Sequence, residues 1–129
     1  MMKILKTVWP RASGRRHLHR QASFLLKDRD LDIGHLWLHN GTWHFEYSDD
    51  YRRRADVRPV GSFPQLEEHY ESKALWPFFV ARIPGMGQPR VQRLIRDENL
   101  REENEIQLML LKRFGERAIV NPYILVPQD

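Results

Sequence analysis

The clearest hydrophobic pattern in the chain lies between residues 33 and 47, in the stretch IGHLWLHNGTWHFEY. Apolar and polar residues alternate on both sides of Asn40-Gly41, a dipeptide typical of two-residue hairpin turns because both positions adopt positive φ. A hairpin closed there has one apolar face, which carries Leu36, Leu38, Trp43, Phe45 and Tyr47. Its more polar face carries His35, Trp37, His39, Thr42, His44 and Glu46.

Segments on either side of the hairpin complete an α+β pattern. ASFLLKD is typical of a strand, and RAIVNPYILVP is extended with a break at Pro122. WPFFVARI predicts a short helical turn from Pro77, and QPRVQRLIRDEN a helix from Pro89. NEIQLMLLKRFG predicts a helix that Asn104 caps and Gly115 ends. We therefore expect a small antiparallel sheet with about three helices packed on one side.

The polar segments between these elements are predicted to be mostly irregular. SDDYRRRADVRP turns the chain, and VRPVGSF forms a short strand interrupted by Pro59. PQLEEHYESKAL is ambiguous and is best interpreted as a loop with a helical turn.

Charge divides the chain into two parts. Residues 1–20 contain six basic side chains and no acidic one, whereas the remainder contains 15 basic and 17 acidic side chains. We expect a basic, flexible N-terminal extension over residues 1–20 and a single domain over residues 21–129. Such an extension could attract nucleic acid or an acidic protein, and its simplest interpretation is a solvated segment.

Several classes of protein do not fit the composition. Cysteine is absent, which excludes disulfides, a thiol nucleophile and a cysteine zinc site. Apolar runs are too short to cross a bilayer, and no secretory signal is evident, so we expect a cytoplasmic protein without a membrane partner. GMGQPR lacks the Lys and Ser/Thr of a phosphate loop, and neither a nucleophile elbow nor a kinase catalytic signature occurs. We expect no enzymatic activity and no cofactor.

The hairpin histidines are the best candidates for a metal site. His39 and His44 lie diagonally on the polar face, with His35 further along and Glu46 opposite His35. The simpler interpretation is a set of partly exposed polar side chains on the solvent face of a strand. His69 stands alone in the sequence.

The stretch ALWPFFVARIPGMGQPRV, residues 74–91, concentrates three aromatic residues on one short turn. These rings cannot all point inward, so Trp76 could anchor a partner within a polar rim, since Trp and Arg are common at interface hot spots. Complete burial in the core is the alternative. The candidate partner-binding residues are Trp76, Phe78, Phe79, Arg82, Gln88 and Arg90.

The order of these motifs resembles the small N-terminal subdomain of HipA-like kinases. The matching stretches are IGHLWLHNGTWHFEYSDDY, LWPFFVARIPG and NEIQLMLLKRFGERAIVNPYILV, within residues 22–126. Those kinases carry a Leu-Pro-Glu-Gly stretch after the paired phenylalanines, where this chain has ARIPGMGQP. Nothing in the 129 residues corresponds to the large kinase body, so the resemblance does not extend to kinase activity.

The resemblance implies a HipS-type small protein of a three-component HipBST toxin–antitoxin system. Such a protein binds and neutralises a separately encoded HipA-like kinase (HipT-type), while a HipB-like helix-turn-helix partner binds DNA. It further implies that Trp76 reaches towards the kinase active site. The alternative function is a nucleic-acid-binding module acting through the basic N-terminal extension. The acidic balance of the remaining residues makes that function less favoured.

Overall fold

The computed structural model describes residues 23–54 and 56–128, which contain five strands and four helices. The strands are β1 (Ser23–Asp28), β2 (Leu31–His39), β3 (Thr42–Tyr47), β4 (His69–Ser72) and β5 (Ile124–Gln128). The helices are α1 (Asp49–Arg53), α2 (Pro77–Val80), α3 (Pro89–Asp97) and α4 (Glu103–Phe114). The strands form one antiparallel sheet in the order β4-β3-β2-β1-β5, which confirms the predicted α+β class. The predicted extension, residues 1–20, lies outside the described residues.

The β2–β3 hairpin has the predicted turn and register. Asn40 and Gly41 adopt φ of 51° and 77°, the left-handed conformation that a tight hairpin turn requires. Trp43 lies opposite Leu38, and Phe45 lies opposite Leu36. The apolar face is the core face, whereas the other face differs from expectation at Trp37, which is buried and not half-exposed.

Two polar segments have more regular structure than the sequence pattern predicts. SDDYRRRADVRP contains α1, which Ser48 caps by accepting a hydrogen bond from the amide of Tyr51 at 3.0 Å. PQLEEHYESKAL contains β4, because His69–Ser72 pairs with β3 at the edge of the sheet. Conversely, VRPVGSF forms no strand; its Val60 and Phe63 are buried as parts of an irregular segment.

The core consists of two apolar clusters. The larger one lies between the sheet and the adjoining segments and is built around stacked Phe45 and Phe63, whose ring centroids are 4.2 Å apart. The smaller one lies between α3 and α4 and includes fully buried Val91 and Leu110. Ile83 packs against both, so the segment after α2 connects the two clusters.

Asn104 joins the hairpin to α4 and does not serve as the predicted helix cap. The N-cap position belongs to Glu102, and Asn104 lies in the first turn. Its Oδ1 accepts a hydrogen bond from Nε1 of buried Trp43 at 3.0 Å. Its Nδ2 donates to the carbonyls of Gly41 and Lys73 at 3.1 and 3.0 Å. One amide group therefore satisfies the indole and holds three segments together.

Tyr47 performs a similar task at the other end of β3. Its hydroxyl donates to the carbonyl of Phe63 at 2.6 Å and accepts from the amide of Val60 at 2.8 Å. Burial disfavours the phenolate and raises the pKa of Tyr47 to about 12. The irregular segment that carries Val60 and Phe63 thus depends on a neutral phenol.

Replacing Tyr47 with Phe should lower the free energy of unfolding at neutral pH by about 1–3 kcal/mol, because two buried main-chain groups lose their partner. The raised pKa stabilises the wild type fully below about pH 10, and this contribution is lost as pH rises towards 12. Urea denaturation at pH 7 and pH 11 should show a smaller decline for Tyr47→Phe than for the wild type. Parallel declines would contradict the assignment.

Candidate partner-docking site

Helix α2 is a single rigid turn bounded by proline. Pro77 occupies the first helical position, where its fixed φ suits a helix and its missing N–H costs nothing. Trp76 is the N-cap in extended conformation, and its carbonyl accepts hydrogen bonds from the amides of Phe79 and Val80 at 2.9 and 3.0 Å. The main chain around Trp76 is therefore well defined without any side-chain cap.

The three aromatic residues of α2 and its N-cap surround the buried ring of Phe63. Phe79 is fully buried, with ring centroids 5.9 Å from Phe45 and 6.0 Å from Phe63. Trp76 and Phe78 are only half-buried and meet Phe63 edge to face at 5.0 and 6.2 Å. Trp76 thus has one side on the core and part of its surface in solvent, as expected for an anchor that is held in place before binding.

Phe78 lies directly over a glycine. Gly61 has φ of 48°, and a Cβ built there would overlap the ring of Phe78. Glycine at this position therefore permits both the left-handed main chain and the close approach of the ring. On its other side Phe78 lies 6.3 Å from the ring of Tyr123, just before β5.

Arg82 is buried, which corrects its predicted place in an exposed polar rim. Its Nη1 donates to the carbonyls of Gly115 and Glu116 at 2.9 and 3.2 Å, and its Nη2 to Oδ1 of Asn121 at 3.2 Å. Both terminal nitrogens also lie 3.4 Å from the carbonyl of Tyr123. The guanidinium therefore joins the end of α2 to the end of α4 and to the loop that leads into β5.

The electrostatic setting of Arg82 is unusual because its partners are neutral. The hydrogen-bond partners of Arg82 in the described residues are main-chain carbonyls and the amide oxygen of Asn121, and burial lowers its pKa from the usual range. Its Nε is buried without a hydrogen-bond partner in the described part of the chain. One compensating group is the carbonyl of Gly115, the C-cap residue of α4, where the helix carries partial negative charge.

The loop that Arg82 holds, residues 116–122, presents apolar side chains that sequence reasoning missed. Ile119 is fully exposed and Val120 is 74% exposed, and Val80 of α2 is also exposed. The segment was predicted as extended, whereas β5 begins only at Ile124. The sequence signal for this exposed loop was the pair Ile119-Val120 directly before the turn-forming dipeptide Asn121-Pro122. We include these exposed apolar residues among the candidates for contact with a partner.

Gln88 and Arg90, the remaining predicted residues, belong to the start of α3. Both are exposed, and Gln88 is the N-cap residue without a side-chain cap hydrogen bond. The Arg90 guanidinium lies 4.9 Å from the ring centroid of Phe114, a cation–π contact between α3 and α4. Of the six predicted residues, Trp76 and Phe78 are therefore half-exposed, Gln88 and Arg90 exposed, and Phe79 and Arg82 buried.

The site is suited to binding a protein surface. A half-exposed indole that is already packed against the core can enter a pocket of a partner at little entropic cost. We call Trp76, Phe78 and Val80 together with Ile119 and Val120 the docking surface.

The predicted set of hairpin histidines is not brought together as expected. The cluster of possible metal-ligating side chains in the described residues is His44, His69 and Glu71, without His35 or His39. His69, which appeared isolated in the sequence, comes within 3.0 Å of His44 because β4 pairs with β3.

Comparison with known families gives one match. Residues 25–119 match the family described as HipA N-terminal domain. A comparison with curated proteins finds no match. In the described part of the chain, no helix combines the length and the apolar character needed to cross a membrane.

Replacing Arg82 with Gln should lower the free energy of unfolding by about 2–4 kcal/mol, because several buried carbonyls lose their donor. The matched change Arg90→Gln removes only an exposed cation–π contact and should cost about 0.5–1 kcal/mol. Urea denaturation of both variants measures the difference. Equal losses would show that Arg82 does not organise the loop.

Proposed function

This chain belongs to the HipA N-terminal domain family, and we propose that it is a non-catalytic, antitoxin-like regulator that binds and inhibits a separately encoded HipA-type Ser/Thr kinase. Membership supports a HipA-related toxin–antitoxin context. The observation that carries the proposal is the position of Trp76. Its indole is half-exposed, directly precedes the helical turn that begins at Pro77, and packs against the buried ring of Phe63.

The matched region supports docking in place of a kinase subdomain. It spans residues 25–119 and so includes most of β1, the strands β2 to β4 and the four helices of the described residues. A partner kinase that lacks this unit would leave a complementary surface for it. The docking surface supplies the apolar contact area, and the core contacts of Trp76 and Phe78 limit the conformational entropy that these two side chains lose on binding.

Inhibition of the kinase would result from the position of the Trp76 indole in the complex. In this mechanism the chain docks through the docking surface, and the exposed edge of Trp76 enters the active-site cleft of the kinase, excluding substrate by occupancy. The chain needs no catalytic group of its own for this. Phe79 and Arg82 support the mechanism indirectly, because their burial fixes α2 and the loop before β5.

The alternative, nucleic-acid binding through residues 1–20, rests on composition alone. The domain itself has more acidic than basic residues, and Arg52–Arg54, its short basic run, is largely engaged with neighbouring acids. Nothing in the described residues favours this function over kinase binding. A HipB-like DNA-binding partner is compatible with the proposal, since it would bind DNA in place of this chain.

The substitution Trp76→Ala should weaken binding to the cognate HipA-type kinase at least about 30-fold, the loss typical of a tryptophan hot spot. Binding is measured by calorimetry with the purified kinase, and inhibition by the kinase's autophosphorylation. Trp76→Phe is the matched control, because a phenyl ring keeps the contact with Phe63 and preserves the fold. Unchanged affinity and inhibition in Trp76→Ala would eliminate the mechanism.

The substitution Ile119→Asp tests the loop independently of the core. Ile119 is fully exposed, so the variant should keep the melting temperature of the wild type. A carboxylate at an apolar contact should weaken kinase binding about tenfold or more, because the charge loses its hydration. Gln128→Asp, an equal change of charge at an exposed position on β5, is the control. Equal affinity of both variants would exclude the loop from the interface.

A further inference from the structure

The face of the sheet opposite the helices carries a compact cluster of metal-ligating side chains. Trp43, Phe45 and Tyr70 point to the core, so the alternate residues of β3 and β4 point the other way. His44 lies directly opposite Glu71, and His69 is the diagonal neighbour of His44. The cluster thus uses ligands from two adjacent strands.

The donor atoms of this cluster form a triangle of the right size for one metal ion. His44 Nδ1 is 3.0 Å from His69 Nε2 and 4.0 Å from Glu71 Oε2, and His69 Nε2 is 3.8 Å from the same oxygen. A point equidistant from these three atoms lies about 2.1 Å from each, which is the length of zinc–nitrogen and zinc–carboxylate bonds. The three donor atoms are therefore close enough together to share one ion.

We propose that His44, His69 and Glu71 form a binding site for a divalent first-row transition metal, of which zinc is the best match. Two imidazole nitrogens and one carboxylate are the ligands of many zinc sites that keep a fourth position for water. The same donors suit magnesium and calcium poorly, because those ions prefer oxygen ligands.

The surroundings orient both imidazoles for this task. His69 uses Nε2 towards the cluster, while its Nδ1 lies 3.6 Å from Oε2 of Glu46, the residue opposite it on β3. A carboxylate behind a ligating histidine helps to fix the orientation of its ring. The ring of Trp37 lies parallel to that of His44 at 5.0 Å and holds it in place.

The two histidine nitrogens that face each other can either share a hydrogen bond or bind one metal ion. Without a metal, one ring donates its N–H to the unprotonated nitrogen of the other at 3.0 Å.

Metal binding would affect the sheet more than any other part of the fold. Because β4 is a short edge strand with four paired residues, it depends on few main-chain hydrogen bonds. An ion bound by His44 of β3 and by two residues of β4 adds a cross-link between these strands. The fold should therefore gain thermal stability with zinc, as any ligand of the native state provides.

The test is calorimetric titration of the full-length chain with zinc chloride. Absorption spectra are then recorded with cobalt chloride, and melting curves with and without zinc. His17 and His19 are replaced with Gln in every sample, so that the N-terminal histidines do not contribute. The test variants are His69→Gln and Glu71→Gln, both at exposed positions where the fold should persist. His39→Gln is the matched control on the same hairpin.

We expect one zinc ion to bind per chain and the melting temperature to rise with zinc. Bound cobalt should show the visible absorption bands of a low-symmetry coordination site. His69→Gln and Glu71→Gln should each weaken binding at least tenfold and abolish the melting shift, and His39→Gln should change neither. Absence of binding below millimolar zinc overturns the proposal, and so does binding that depends on His39 but not on His69 or Glu71. Melting curves without zinc verify that each variant is folded. This test is independent of kinase binding.

Discussion

The register of the β2–β3 hairpin is the constraint on which both faces of the sheet depend. Side chains alternate along a strand, so a slip of one residue would move Trp43 and Phe45 into solvent and His44 into the core. Asn40-Gly41 sets the register at the turn, and Asn104 secures it by binding both the indole of Trp43 and the turn carbonyl of Gly41. The position of the core residues and that of the histidine cluster therefore both follow from the register set at this turn.

A second dependence concerns the loop before β5, whose two ends are hydrogen-bonded to the buried guanidinium of Arg82. Arg82 replaces the hydration of its guanidinium with main-chain carbonyls from the end of α4 and from the loop before β5. Apolar packing alone would not order that loop, since Ile119 and Val120 have no cover. The candidate site thus combines an aromatic turn supported by the core with a loop supported by hydrogen bonds.

The sequence was sufficient for features with strong local signals. The hairpin at Asn40-Gly41 and the helix starts at Pro77 and Pro89 follow from φ preferences of single residues. The helix end at Gly115 was also predicted, although its φ of −88° is one that any residue adopts. Trp76 could be identified as a candidate because three aromatic side chains on so short a turn cannot all point into the core. Its partly exposed position in the structure agrees with the expectation that not every ring points inward.

Features that depend on distant partners could not be predicted. HYES has no apolar alternation, so β4 forms only because β3 offers an unpaired edge, and the meeting of His44 with His69 follows from that pairing. Arginine within an exposed-looking ARIPG stretch is indistinguishable from a surface residue, because the carbonyls that bind Arg82 lie more than 30 residues away. The prediction that Asn104 caps α4 was wrong for a similar reason. The sequence does not distinguish an asparagine that caps a helix from one that hydrogen-bonds to distant segments.

The two edges of the described sheet limit how other chains can associate with it. At one edge, β4 is only four residues long and presents charged or polar side chains. At the other, β5 contains Pro127, which has no N–H to offer a neighbouring strand. Both features discourage the addition of a strand from another molecule. Recognition of this domain must therefore depend on side-chain shape and chemistry, and copies of the chain are protected against edge-to-edge aggregation.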